Sequence, residues 1–462
     1  MRVSSNIIYQ QSVFNLGNRQ SDLTTLQNQL STGRRILSPS DDPVASARSL
    51  NLQQSTIQNE QYINNVQYGR GALSLAEGNL RQVTSTIQEI QKLAVQSGSP
   101  ALTSAEKKMI EADIRGKYQE LIGLANSTDG NGLYLFSGYK GDTKPFNELA
   151  YGNVRYDGDQ GQRNLQISTS RQISVSDAGS EIFIKINDGN GTFTTSMMGN
   201  AGGTNLGTGV ISPGVVTDPV KWTNTNNNER YRIQFHVVPD PVDASKNITS
   251  YDIIDNDTTS ANYNRSLIDG YNYTTSTPAG GRTDTVANPN AFPRRYTSGS
   301  DILFSQQTGE ATPLYANWDF GGKLNVEGVP KDGDSFKLEP SKYQDLFTTI
   351  GDFATALTSY ANNSVSGAVF QNQLNTLLSN MDNSLNQVLT VQANIGARMN
   401  EVDAVETTST DLNVQFKTTI SKLTDLDYVS AISDFSLTQT YLEAARKSFS
   451  SVQGLSLFQY IS

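Results

Sequence analysis

Apolar side chains recur at helical spacing near the beginning of the chain. Val13, Leu16, Leu23, Leu26 and Leu30 are separated by three, seven, three and four residues, which places them on one stripe of an α-helix. A glycine follows the stripe three residues later, and glycine suits the left-handed turn that ends many helices. The pattern therefore predicts a first helix that ends at this glycine.

A short polar hinge separates the first helix from a second one. Asp42 precedes Pro43, and an acidic cap followed by proline at the first helical position is a typical helix start. Arg34 and Arg35 follow the first helix, where positive charge complements the negative helix end. The predicted hinge residues are Gly33, Arg34, Arg35, Asp41, Asp42 and Pro43.

The second helical pattern is unusually long. A seven-residue repeat runs through Val66, Leu73, Leu80, Ile87 and Ala94, and no end signal precedes the Ser-Gly-Ser-Pro segment at 97–100. About fifty residues at 1.5 Å each make a rod of roughly 75 Å, longer than an ordinary globular helix. This length and repeat predict a bundle or coiled-coil element.

A third helix leads into a small β region. Thr103 and Glu106 have the spacing of a capping box, and the helix that they begin is predicted to end near Asn126. A glycine-rich turn follows, and the apolar run Leu133 to Phe136 predicts a short strand.

Proline separates the helical parts of the chain from a β-rich middle. Of 14 prolines, eleven lie from Pro145 to Pro340 and none lies after Pro340. Proline breaks helix interiors, so the two ends can be long helices and the middle cannot. Residues 181–339 are rich in Asn, Thr, Gly, Asp and Tyr, with alternating runs such as Tyr231 to Val238. These features predict antiparallel strands with long polar loops.

Helical spacing returns after the last proline and continues to the end of the chain. The final segment has apolar residues at the spacing of a coiled-coil seam, namely Tyr428, Ala431, Phe435, Leu442, Ala445, Phe449 and Val452. We expect this helix to pair with the first helix of the chain.

These patterns predict a mainly α fold with a β insert. Both termini form a long helical coiled-coil bundle, and the centre forms a β-rich domain. The predicted domains are 1–42 with 427–462 as a terminal coiled-coil assembly domain, 43–180 with 340–426 as a helical bundle with a small β-hairpin region, and 181–339 as a β-rich, surface-exposed insert.

Composition argues against several functional classes. The net charge is -10 and no basic stripe is present, which disfavours nucleic-acid binding. The chain has no cysteine and a single histidine, His236, so thiolate metal sites and cysteine nucleophiles are excluded. No apolar run approaches the ~20 residues that span a bilayer, and the N-terminus lacks the apolar core of a secretory signal. We expect no catalytic, cofactor or metal site.

Both terminal helices are poor in charge. Residues 1–33 contain only Arg2, Arg19 and Asp22 as charged residues, and residues 436–462 contain only Glu443, Arg446 and Lys447. Enclosing uncharged polar faces among subunits avoids the several kcal/mol per ion that desolvation of charges can cost. The termini therefore favour self-assembly, although a bundle that never assembles stays possible. The hinge charges could be solvated or could take part in contacts between subunits.

The terminal motifs resemble the flagellin superfamily, and within it the branch that joins the flagellar hook to the filament. The resemblance rests on LSTGRRILSPSDDP at 30–43, DGNGLYLFSGYKGDTKPF at 129–146, YDGDQGQRNLQIS at 156–168, GVPKDGDSF at 328–336 and LSLF at 455–458. It implies a structural adaptor of the bacterial flagellum, needed for motility, that forms a ring of subunits between hook-associated protein 1 and flagellin.

The same resemblance implies type III export and an extracellular location on the flagellum. It also implies an export chaperone on the C-terminal helix, with Leu442, Phe449, Leu455 and Phe458 as binding residues. A filament-forming flagellin is the alternative within this class. In a different class, the β insert could be a surface adhesin or hydrolase.

Overall fold

Two very long helices dominate the secondary structure. The computed structural model describes residues 5–199, 203–240, 243, 245–276, 294–310 and 313–454. Within these ranges α2 has 55 residues and α6 has 61. The helices are α1 (Ser5–Thr32), α2 (Pro43–Ser97), α3 (Ser104–Ala125), α4 (Pro219–Trp222), α5 (Leu346–Ser359), α6 (Ser364–Thr424) and α7 (Tyr428–Gly454).

Local capping chemistry sets several helix ends, including those that the sequence predicted for α1 and α3. Thr103 and Glu106 form the predicted capping box at the start of α3, and Asn126 caps its end. Gly33 follows α1 with φ +69°, and its amide donates to the Gln29 carbonyl at 2.8 Å. The amide of Thr348 donates to Asp345 at the start of α5. These bonds satisfy backbone groups that a helix end leaves unpaired.

The β elements lie between α3 and α5. A π-helical turn, Ser180–Ile184, separates the first four strands from the others. The strands are β1 (Phe146–Ala150), β2 (Asn153–Tyr156), β3 (Asn164–Gln166), β4 (Gln172–Ser174), β5 (Ile186–Asn187), β6 (Phe193–Met197), β7 (Val210–Ile211), β8 (Val215–Val216), β9 (Tyr231–Pro239), β10 (Asn247–Asp255), β11 (Arg294–Arg295), β12 (Asp301–Ser305), β13 (Asp319–Glu327), β14 (Ser335–Pro340) and β15 (Tyr343–Gln344).

The insert is built from two antiparallel sheets around one apolar core. One sheet has the order β11-β10-β9-β14-β6, and in the other β13 pairs with β12, β7 and β8. Strand β9 alternates buried and less buried residues along its first half, as the predicted half-buried strand requires. Both tryptophans, Trp222 and Trp318, lie in this core. The predicted fold class, mainly α with a β insert, is confirmed.

A buried carboxylate, Asp334, explains the motif GVPKDGDSF at 328–336 in the insert. Asp334 is fully buried and accepts the amides of Leu206, Gly207 and Lys331 at 2.8 to 2.9 Å. A side chain at Gly207 would collide with this carboxylate, since its Cβ would lie 2.6 Å from Asp334 Oδ2. The segment at 328–336 therefore ties together two loops of the insert.

The predicted strand Leu133 to Phe136 is wrong. This segment is a series of turns with one isolated bridge, between Tyr134 and Thr128. The Asp129 carboxylate accepts the amide of Asn131 at 2.8 Å, and Asx turns of this kind compete with strand pairing. Leu135 and Phe136 are buried, so the apolar run reflects packing rather than a β ladder.

The chain divides into two compact units. One unit contains residues 1–69, 166–172 and 400–462, and the other contains 70–165 and 173–399. These boundaries fall inside α2 and α6, and the β insert shares a unit with parts of the bundle. The division thus differs from the three domains expected from the sequence. That three-domain scheme stays a prediction.

In the larger unit, α6 holds the β insert through side-chain amides. Asn372 accepts the amide of Ile211 at 2.8 Å and donates to the carbonyl of Gly209 at 3.1 Å. Asn380 accepts the amide of Gly189 at 2.8 Å. The bonds from Asn375, Ser379, Asn383 and Gln387 likewise end on main-chain carbonyls of residues 181–211. We call this row of α6 side chains the amide ladder.

Candidate assembly interface

Helices α1 and α7 lie side by side in the smaller unit and run in opposite directions. The rings of Tyr9 and Phe449 are 5.4 Å apart, so the start of α1 meets the end of α7. Further along, the Arg446 guanidinium donates to Gln20 at 3.2 Å. The predicted pairing of the first and last helices is therefore present in the single chain.

The predicted seam residues differ in how far they are covered in the single chain. Leu442 is buried, with 4% of its surface exposed, whereas Val13 is 46% exposed. The structure describes the backbone of Val452 but not its side chain, and Leu455 and Phe458 lie outside the described residues. Partly buried seam residues are Leu16, Leu23, Leu26, Leu30, Phe435, Ala445 and Phe449.

The pair also leaves large apolar side chains open to solvent. Phe14 is 64% exposed on α1, and Val429 and Ile432 are 82% and 54% exposed at the start of α7. Tyr9, Tyr428, Leu437 and Tyr441 are about half exposed as well. Several large apolar side chains left open on one helix pair favour an interaction surface. Apart from Tyr428, which belongs to the predicted seam, sequence periodicity missed these residues because they lie outside that seam.

The hinge pairs with the connection between α6 and α7. The Arg35 amide donates to the Thr424 carbonyl at 2.8 Å, and the Leu426 amide donates to the Gly33 carbonyl at 2.9 Å. A β-bridge joins Arg34 and Asp425 between these two bonds. The hinge is thus a short two-stranded element, and no sequence pattern indicated its second strand.

The Arg35 side chain caps a different helix from the one that the sequence suggested. Its guanidinium donates to the Leu423 carbonyl at 2.8 Å, in the last turn of α6, and it contacts Asp42 at 3.3 Å. The expectation that Arg35 complements the end of α1 is wrong. The reason is that the hinge pairs with residues 424–426, which places this side chain beside the last turn of α6.

Three carboxylates fix the backbone on both sides of the hinge. Asp41 accepts the amides of Leu37 and Ser38 at 2.9 and 2.8 Å, and the amide and hydroxyl of Ser38 lower its pKa below the ordinary value. Asp42 caps α2 by accepting the Ala45 amide at 3.0 Å. That amide is the main group that lowers the pKa of Asp42.

Asp427 plays the same part at the start of α7. It accepts the hydroxyl of Ser430 at 2.9 Å and the amide of Val429 at 3.0 Å. The Ser430 hydroxyl, followed by the backbone amides, lowers the pKa of Asp427. An aspartate before an apolar helical run is a recognisable start signal, so this residue could have been predicted.

The described residues contain neither a membrane-spanning helix nor a cluster of metal-binding side chains. No helix among them is long and apolar enough to cross a membrane. Within the same ranges, no group of three or more histidine, cysteine, aspartate or glutamate side chains could hold a metal ion.

Comparison with known proteins finds similar chains among flagellar proteins. Residues 3–141 match the family described as bacterial flagellin N-terminal helical region. Flagellar hook-associated protein 3 of Escherichia coli is 25% identical over 459 residues, which cover 99% of each chain. The flagellar junction protein FlgL of Legionella pneumophila superposes with a TM-score of 0.64 at 27% identity, over 82% of this chain and 100% of that one.

This chain is similar to flagellar hook-associated protein 3 over nearly its full length. Hook-associated protein 3 of Salmonella typhimurium is 36% identical over 186 residues, which cover 40% of this chain and 58% of that relative. These similarities support a structural role in the bacterial flagellum, from which a part in motility follows.

Proposed function

We propose that the chain is a non-enzymatic adaptor that forms a ring between hook-associated protein 1 on the hook side and flagellin on the filament side. The observation that carries this proposal is the α1–α7 pair, which leaves Phe14, Val429 and Ile432 open to solvent on helices with few charges. Neighbouring subunits can cover these side chains without desolvating many ions.

The terminal pair is expected to be only marginally stable before assembly. Among the described side chains of α1 and α7, only Ala431 and Leu442 are buried. A fully buried leucine contributes about 1.5–3 kcal/mol, whereas ordering costs about 1–2 kcal/mol for each residue. Contacts with neighbouring subunits would supply the missing burial. Hydrogen exchange on the monomer tests this, and strong protection of residues 23–30 and 442–452 would contradict it.

A loosely held terminal pair also fits passage through a narrow type III export channel. We propose that the chain reaches the outside of the cell in this way. An export chaperone would cover Leu442, Phe449, Leu455 and Phe458 before secretion. Serine substitutions at Leu442 and Phe449 should weaken chaperone binding in a pull-down with the purified chaperone. Undiminished binding would argue against this site.

A matched pair of variants tests the assembly surface. Val429 on α7 and Val220 on α4 are 82% and 81% exposed, so serine at either position should leave the subunit folded. We expect Val429→Ser to reduce filament attachment in electron micrographs of cells, while Val220→Ser leaves it unchanged. Equal attachment for both variants would refute a role for the exposed face of α7.

Loss of the whole protein distinguishes the adaptor from a filament flagellin. Cells that lack it should carry intact hooks and secrete flagellin without attached filaments. A chain truncated after Phe435 should keep its folded middle and fail to join the assembly. If purified protein polymerised alone into long filaments, the filament-flagellin alternative would be favoured instead.

A further inference from the structure

A cavity of about 440 Å³ lies where the β insert meets α5 and α6 in the larger unit. Strand β6 contributes Met197, α5 contributes Asp352 and Phe353, and α6 contributes Leu377. Cavities of this size hold small ligands or a single long side chain, and they occur preferentially at junctions between structural layers. None of the residues that line this cavity lies on α1 or α7.

The polar groups of the cavity have hydrogen-bond acceptors to spare. Thr349, Thr355 and Thr376 line it, and each donates its hydroxyl hydrogen to a main-chain carbonyl one turn earlier on its own helix. A hydroxyl that has donated its hydrogen keeps only acceptor capacity. The threonines can therefore receive N–H groups from a ligand but cannot donate to one.

Two buried asparagines also have unused hydrogen-bond acceptor capacity. Asn372 gives both amide hydrogens to main-chain carbonyls, and its oxygen accepts one amide hydrogen at 2.8 Å. Asn380 accepts one amide hydrogen at 2.8 Å. Since an amide oxygen has two lone pairs, each oxygen can accept a second hydrogen bond. The lining is thus suited to a ligand rich in N–H donors.

The carboxylate of Asp352 adds negative charge at the mouth of the cavity. The Gln344 amide lies 3.4 Å from it. Partial burial of the carboxylate, together with the charge of Asp345, raises the pKa of Asp352 above its ordinary value. The raised pKa means that the folded protein disfavours the ionised form of this carboxyl group. A cation beside it would stabilise the ionised form.

We propose that this cavity binds an alkylguanidinium or alkylammonium group, with the cation against Asp352 and the apolar stem against Phe353 and Met197. The threonine and asparagine oxygens accept the remaining N–H groups. The cation could belong to a free small molecule or to an arginine or lysine of a second copy of this chain.

Calorimetric titration of the full chain with n-butylguanidinium tests the proposal. The neutral isostere n-butylurea has the same shape and is the ligand control. Asp352→Asn removes the charge at the cavity mouth. Asp382→Asn is the matched control, since Asp382 lies in a different cavity and is also exposed. We expect saturable binding of butylguanidinium to wild type and to Asp382→Asn, and at least tenfold weaker binding to Asp352→Asn.

Equal binding of butylurea, equal binding to Asp352→Asn or absence of saturable binding would each overturn the proposal. Sedimentation at rising protein concentration separates the two sources of the cation. Self-association that Asp352→Asn abolishes would assign the cation to a second copy. If sedimentation does not change with protein concentration and butylguanidinium binds, the cation belongs to a free small molecule. Neither result depends on the proposed flagellar junction.

Discussion

The amide ladder makes a quantitative prediction for the variant Asn372→Ala. Asn372 is 5% exposed and is bonded to the backbone of Ile211 and Gly209. Alanine leaves the Ile211 N–H and the Gly209 carbonyl without the Asn372 side chain as their hydrogen-bond partner. An unsatisfied buried polar group costs about 1–3 kcal/mol. Alanine returns up to about 0.7 kcal/mol through its higher helix propensity. Water from the adjoining cavity can replace part of the lost bonding, so we expect a net loss of about 1–3 kcal/mol.

The tryptophans allow this loss to be measured in the insert itself. Trp222 and Trp318 are 3% and 4% exposed, so their emission reports unfolding of the insert, whereas far-UV circular dichroism reports mainly the helices. At a slope of about 2 kcal/mol per molar urea, the tryptophan midpoint should fall by roughly 0.5–1.5 M.

The control for this experiment lies on the same helix. Asn394 is exposed on α6, and Asn394→Ala makes the same gain in helix propensity without removing a bond to the insert. Its tryptophan midpoint should not fall. If Asn372→Ala and Asn394→Ala had the same midpoint, the ladder would contribute nothing to the stability of the insert.

Two further predictions concern close backbone packing and pH. Gly351→Ala should destabilise the larger unit by about 1–3 kcal/mol, because the new Cβ would lie 2.4 Å from Gly152 Cα. Gly367→Ala, where nothing lies within 4 Å of the new Cβ, should instead stabilise it by about 0.5–1 kcal/mol in urea unfolding. A lower midpoint for both variants would refute this contrast. The lowered pKa of Asp427 means that its cap stabilises α7 above the unfolded pKa of about 3.8 and is lost as pH falls through the folded value. Hydrogen exchange corrected for intrinsic rates should show weaker protection of the first turn of α7 at pH 3 than at pH 6, and Asp427→Asn should lack this change.

Local signals in the sequence predicted the helices well. Gly33, the Thr103–Glu106 capping box and the Asp42-Pro43 pair each act on the few residues around them, so their effect can be read without knowing the fold. The alternation in Tyr231 to Val238 likewise predicted a strand that the sheet contains.

Features that depend on distant parts of the chain could not be predicted in the same way. Asn372 and Asn380 look like solvated residues on a long helix, and only the folded chain places main-chain groups of the insert against them. Arg35 resembles a cap for the helix that precedes it, yet its carbonyl partner is Leu423, 388 residues away.

The seam of the terminal pair was predicted from its apolar spacing, and its role in assembly stays a prediction. Val13 illustrates the limit, because a three-and-four pattern does not say which side of a helix meets an intramolecular partner and which meets another subunit. In the single chain this valine is 46% exposed. The pattern identifies apolar faces, and contacts with other chains decide how they are used.

The amide ladder has a consequence for how the insert can vary. Its bonds end on main-chain atoms of residues such as Gly189, Gly209 and Ile211, and every amino acid except proline offers the same amide and carbonyl. Substitutions in the insert that keep this backbone path therefore leave the attachment intact. Helix α6 can therefore hold a β module independently of the module's side chains. A module of unrelated sequence with the same edge geometry could be grafted onto it.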